Sequence, residues 1–137
     1  MTTSHNLSPE LFRVIDANIN RLKEGIRVIE DIQRYRDNNK KLSTRLKQLR
    51  HNARVDLTQH LLQNRDSIND VLRPTTKSEL NRTSIEDIIL ANFKRAEESA
   101  RVLEELFKLY DTKYSENFKH IRYELYDLEK KIVTKKL

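Results

Sequence analysis

Apolar residues recur at intervals of three and four along most of this chain, a spacing that predicts four long helices. Leu11, Val14, Ile15, Leu22, Ile26, Ile29 and Ile32 mark the first. Ser8-Pro9-Glu10 opens it with a capping hydroxyl, a proline at the first helical position and an acid in the first turn. It is expected to run to about Arg36 and to stop at Asp37-Asn38-Asn39. Leu42, Leu46, Leu49, Ala53, Leu57 and Leu61 predict one continuous second helix. Thr83 and Glu86 have capping-box spacing and open a third, which carries Ile85, Ile88, Ile89, Ala96, Leu103 and Leu106 to about Asp111. Phe118, Ile121, Leu125, Leu128 and Ile132 mark the fourth. Residues 1–7 are expected to be frayed. Across residues 64–82 the helical period fades and Pro74 interrupts; a connection this long is either functional or a plain linker.

The first and third helices share more than an apolar rhythm. Shifted by 74 positions, Ile15, Ala17, Asn18, Arg21, Glu24, Arg27, Val28 and Glu30 recur as Ile89, Ala91, Asn92, Arg95, Glu98, Arg101, Val102 and Glu104. Lys47-x-x-Arg50 finds a fainter echo in Lys119-x-x-Arg122. This is an internal duplication. The expected architecture is all-α: a four-helix bundle of two helical hairpins, residues 10–63 and 83–134, joined by the 64–82 loop and related by a pseudo-twofold axis. On a helical wheel Asn18 falls in the middle of the apolar face with Arg21 on its shoulder, and Asn92 and Arg95 do the same in the second copy. A polar group facing a core needs a hydrogen-bonding partner. The asparagines therefore either fix helix register or line a polar pocket, and their recurrence favours the pocket.

Composition narrows the classes. With 137 residues the chain makes one domain, 1–137. A single glycine and two prolines exclude folds that depend on tight turns, and the absence of cysteine excludes disulfides and thiolate metal sites. No apolar run is long enough for a membrane span, and the N-terminus lacks the features of a secretion signal, so a cytoplasmic location without membrane partners is expected. The net charge of +6 is spread among acids, with clusters only at Lys130-Lys131 and Lys135-Lys136, so a solvated surface is expected and not a nucleic-acid site. His5, His51, His60 and His120 are scattered, and each is read as a surface residue. The pattern does not fix the oligomeric state; a homodimer is compatible with it. With Gly25 alone, a glycine-rich phosphate loop cannot form. A phosphate ligand would have to be held by side chains such as Arg21, Arg50, Arg65, Arg95 and Arg122. Asp66 and Asp70, four apart, are candidates to share one metal ion.

The runs Ala17-Asn18-x-x-Arg21-x-x-Glu24-Gly25-x-Arg27-Val28-x-Glu30-Asp31 and Ala91-Asn92-x-x-Arg95-x-x-Glu98-Ser99-x-Arg101-Val102-Leu103-Glu104-Glu105 are similar to those of one known family. Leu49-Arg50-His51, Arg65-Asp66-x-x-x-Asp70-Val71 and Phe118-Lys119-x-x-Arg122-Tyr123 support the likeness, which covers residues 10–132. The chain resembles the all-helical hydroxymethylpyrimidine phosphate kinase domain of thiamine biosynthesis, which occurs alone or fused ahead of thiamine phosphate synthase; the free-standing form is expected here. Leu72 stands where the family often has glycine, and Ser99 where it usually has alanine. The resemblance implies transfer of the ATP γ-phosphoryl group to the pyrimidine monophosphate with Mg²⁺ bridging phosphates. Arginines of both repeats would hold phosphates, and Glu24, Glu98 or Asp66 would take the hydroxyl proton or hold magnesium. A non-catalytic module that binds an anionic ligand is the alternative, and nucleic-acid binding through the basic surface a weaker third.

Overall fold

The computed structural model describes residues 7–134, and all regular structure among them is helical. The helices are α1 (Pro9–Asp31), α2 (Lys40–Asn52), α3 (Thr58–Asn64), α4 (Lys77–Leu80), α5 (Ile85–Leu106) and α6 (Thr112–Thr134). A π-helical turn, Ile32–Arg36, extends α1, and a short 3₁₀ turn, Phe107–Leu109, extends α5. His5 and Lys135-Lys136 lie outside the described residues. So do the first six of the residues expected to fray; Leu7, the seventh, is buried.

Local chemistry sets the helix ends. The Ser8 hydroxyl accepts from the Leu11 amide at 3.2 Å, and Pro9 follows it. Asn38 takes a positive φ of 50°, and the Asn39 side chain caps α2 by accepting from Leu42 at 3.0 Å. The cap of α5 lies one residue beyond the expected Thr83. Ser84 accepts from the Asp87 amide at 3.1 Å, while the Asp87 carboxylate accepts from the Thr83 amide and hydroxyl. Aspartate thus takes the role assigned to Glu86.

The helices form a ring in which α1 packs against α2, α3 and α5, and α6 against α5 and α2. Arg36 reaches Glu86 at 3.5 Å, and the backbone of Gly25 lies against Asn92 and Ala96, so α1 and α5 run antiparallel. A Cβ at Gly25 would sit 3.1 Å from the Asn92 carbonyl oxygen, which is why the chain's only glycine stands at this crossing. The core consists of Phe12, Ile15, Ile19, Leu22, Ile26 and Ile29 from α1 and Ile89, Phe93, Ala96, Ala100 and Leu103 from α5, closed by the stripe of α6.

Two expectations need correction. The second helix is not continuous: it breaks between Asn52 and Thr58, so the first hairpin has a divided second arm while the second hairpin has the unbroken α6. Leucine spacing persists through the break because Leu57 and Leu61 still reach the core from the re-aimed α3. The apolar face of α1 is also rotated from its expected position. Val14 is 40% exposed, and the face is centred on Ile15, Ile19, Leu22 and Ile26. Asn18 therefore lies to one side of the centre of that face, yet it is buried, only 6% exposed. Each asparagine is satisfied within its own helix: Asn18 Nδ2 donates to the Val14 carbonyl at 2.9 Å and Asn92 Nδ2 to the Ile88 carbonyl at 2.8 Å.

Candidate active site

The outer face of α1 and the first residues after α3 enclose a cavity of about 660 Å³. Asn18, Arg21, Arg65, Asp66 and Asp70 line it, joined by Glu10, Arg13, Asp16 and Asn20. Five of the residues singled out in the sequence thus come together from positions up to 52 apart. Two bonds hold the far wall. Arg65 makes a two-pronged ion pair with Asp16, Nε to Oδ2 at 2.7 Å and Nη2 to Oδ1 at 2.6 Å. Arg13 Nη2 donates to the Asp66 carbonyl at 2.8 Å. Asp16 is buried, and its carboxylate raises the Arg65 guanidinium pKa chiefly through this hydrogen bond.

The free groups in the cavity differ in kind. Arg21 makes no hydrogen bond or ion pair among the described residues and is available to an anion. The Asp66 carboxylate is held by the Asn69 side-chain amide, at 2.8 Å from Oδ2, and by its backbone amide, at 3.2 Å from Oδ1; these bonds lower its pKa. That makes it a weaker base and a better-formed anion. Asp70 Oδ1 accepts from the Leu72 amide at 3.0 Å, and the residue is exposed. No group of three or more His, Cys, Asp or Glu among the described residues is placed to hold a metal ion.

The remaining candidates lie elsewhere. Arg50 pairs with the buried Glu30 at 2.7 Å and Arg122 with the buried Glu104 at 2.9 Å, each joining the two arms of one hairpin. Glu30 and Glu104 are repeat equivalents, so the echo read in the sequence is the same internal ion pair made twice. Neither arginine lines the cavity. Arg95, Glu24 and Glu98 are exposed and, like Arg21, without a bonded partner among the described residues. The antiparallel register set at Gly25 brings Arg21 level with Glu98, and Glu24 level with Arg95. Asn92 is half-buried on the same seam.

Sequence reasoning missed Arg13, Asp16 and Asn20. Asp16 carried a usable signal: an acid directly beside the core residue Ile15 requires a cation from another element, and Arg65 is in the one long connection. No helix among the described residues is long and apolar enough to cross a membrane.

The model of the ThiD2 family matches residues 13–131. A thiamine-phosphate synthase of Nostoc punctiforme is 38% identical over 124 residues, covering 90% of this chain and 35% of its own length. One of a Nostoc species is 40% identical over 123 residues, covering 87% and 34%, and one of a Synechocystis species is 38% identical over 126 residues, covering 91% and 37%. The chain therefore spans about a third of the length of these curated relatives. No solved structure matches.

Proposed function

Because this chain belongs to the ThiD2 family, we propose that it serves thiamine biosynthesis as a phosphotransferase, moving the γ-phosphoryl group of ATP to hydroxymethylpyrimidine monophosphate. The observation that carries this reading is the convergence of Asn18, Arg21, Arg65, Asp66 and Asp70 on one cavity. Phosphoryl transfer asks little covalent chemistry of a protein; it asks for positioning and for cations around the equatorial oxygens. Arg21 supplies a free guanidinium, and Arg65 a fixed one. Asp66 and Asp70 would be the residues to hold a magnesium ion carried by the nucleotide, which would neutralise phosphate charge. A phosphate oxygen of the acceptor forms the new bond to the γ-phosphorus as the bond to the bridging oxygen of the ADP leaving group breaks. An ionised phosphate oxygen needs no base, so no carboxylate is asked to take a proton; Glu24 and Glu98 do not line this cavity.

One observation favours the second reading, a non-catalytic module that binds an anionic ligand: every carboxylate that the cavity buries is engaged in a bond of its own. Incubation of the purified chain with ATP, magnesium and the pyrimidine monophosphate separates the two. The expected result is acceptor-dependent ADP release with the pyrimidine diphosphate as co-product. Binding of the monophosphate with no ADP above the acceptor-free control would leave the binding module.

A further inference from the structure

A second cavity of about 550 Å³ lies where the second helix is interrupted, between α1 and the 53–58 segment. The interruption is built into the fold. Asn117 of α6 donates to the Asn52 carbonyl at 2.9 Å, and Tyr114 Oη accepts from the Asp56 amide at 3.1 Å. Two α6 side chains thus take up backbone groups that the break frees. Nothing comparable interrupts α6 in the second half. The segment's Arg54 and the facing Lys23 of α1 make no hydrogen bond or ion pair among the described residues, and the Asp56 carboxylate is likewise unpaired. Val55, Leu61 and Tyr114 supply apolar wall between these charges. The cavity touches the first one at Asp16, Asn20 and Arg65, so the Asp16–Arg65 pair stands between the two.

We propose that this second cavity is a separate site for a compact organic monophosphate bearing a small aminated ring. Lys23 and Arg54 receive the phosphate, Asp56 receives the ring amine, and the ring lies on Val55 and Tyr114. Two unpaired cations beside apolar wall suit a small molecule that is anionic at one end and aromatic at the other. The first cavity, with its outward carboxylates, suits a magnesium-bound polyphosphate instead. Under the phosphotransferase reading, on which the identity of the ligands rests, acceptor and nucleotide approach from opposite sides of Arg65.

Calorimetric titration of the full chain tests this with the pyrimidine monophosphate and, separately, with magnesium ATP. Lys23→Met and Arg54→Met are expected to weaken monophosphate binding at least about fivefold each, as loss of a charge-assisted bond requires, with ATP affinity unchanged. Arg21→Met is expected to do the reverse. Lys23→Arg, which keeps the charge, restores the monophosphate and shows that the fold is intact. Unchanged monophosphate affinity in the Lys23→Met, Arg54→Met double variant overturns the assignment, as does a parallel loss for both ligands or the absence of monophosphate binding to the unaltered chain. Turnover is scored separately. Monophosphate binding that depends on Lys23 and Arg54, without ADP release, keeps this site and removes the phosphotransferase reading.

Discussion

The two halves of the molecule use repeat-equivalent positions to opposite ends. In the first, Asp16, Asn20 and Lys23 of α1 face a broken partner arm, and the space between them is open. In the second, the equivalents of Asn20 and Lys23 are Lys94 and Glu97 of α5, which face the unbroken α6. There Lys94 Nζ lies 3.0 Å from Glu129 and 3.4 Å from Glu97, whose side chain is only 5% exposed. Glu97 Oε2 is buried without a hydrogen-bond partner. Burial is the chief cause that raises the Glu97 pKa to about 8; Glu129 adds to it, and Lys94 opposes it. What both halves keep is the Glu30–Arg50 and Glu104–Arg122 pair. The shared element is thus the frame of each hairpin, and the difference lies where the first half has a broken arm beside a cavity and the second an unbroken one joined by Lys94–Glu129.

The frame gives the largest expected effect. Arg50→Met strands the buried Glu30, a loss of about 3–5 kcal/mol for a buried pair broken from one side, whereas Arg122→Met leaves Glu104 a weaker partner in Arg101 at 3.7 Å. Chemical denaturation should show both variants destabilised, Arg50→Met the more. A neutral result in either half would mean that its pair is ornament and that the two frames are not equivalent.

Next is the inequality between repeat-equivalent arginines. Arg21 lines the first cavity and Arg95 does not. Arg21→Met should lower ATP-dependent phosphorylation at least about tenfold, a barrier change of about 1.4 kcal/mol, with the thermal midpoint unchanged. Arg95→Met should lose less. Equal losses would move the reacting centre to the seam between α1 and α5.

The closed half predicts a pH dependence. Glu97 binds its proton more tightly folded than unfolded, so its contribution to stability is complete below about pH 4.5. It falls as pH rises and is gone above about 8. The groups facing it are Glu129 from α6 and Lys94 from its own helix. Glu97→Gln should flatten the decline in thermal midpoint between pH 5 and 8 and raise the midpoint at pH 8. An unchanged slope would show that Glu97 is ionised and fully paired with Lys94.

The smallest effect belongs to the crossing. Gly25→Ala gains roughly 0.5–1 kcal/mol of helix preference but meets the Asn92 carbonyl at 3.1 Å, a close approach that backbone must yield to. A net loss of under about 1 kcal/mol is expected, read as a small drop in denaturation midpoint. A net gain would show the seam looser than that contact implies.

The sequence carried the helices well because they rest on short-range spacing. Ser8, Asn39 and the α6 stripe are local signals. It carried the break after Asn52 badly, because the cause lies in α6: Asn117 and Tyr114 supply partners that no local window contains. The same limit hid Asp16–Arg65, which joins residues 49 apart. Asn18 is buried as expected, but it was placed at the centre of the apolar face because Val14, Leu11 and Ile32 shifted that face toward it, while Phe12 and Ile19, both buried, were not counted in it. Arg50 and Arg122 were grouped with the phosphate ligands because an arginine kept in both copies looks the same whether it meets an anion from outside or a glutamate from within. Only the contact with Glu30 and Glu104 tells these apart.

The spacing of those two ion pairs also bears on how the chain assembles. Glu30–Arg50 and Glu104–Arg122 close loops of 20 and 18 residues. Bonds between the hairpins close far longer ones: Arg45 meets Glu124 across 79 positions and Asp127 across 82. Loop closure costs more as the loop lengthens, and local contacts form early in small helical domains. Each hairpin is therefore organised to form first around its own arginine and to present a finished apolar face to the other. Docking of the two faces, with the single glycine at their tightest approach, is left as the late step. Substitutions at Gly25 should accordingly alter how fast the docked state comes apart more than how fast it forms.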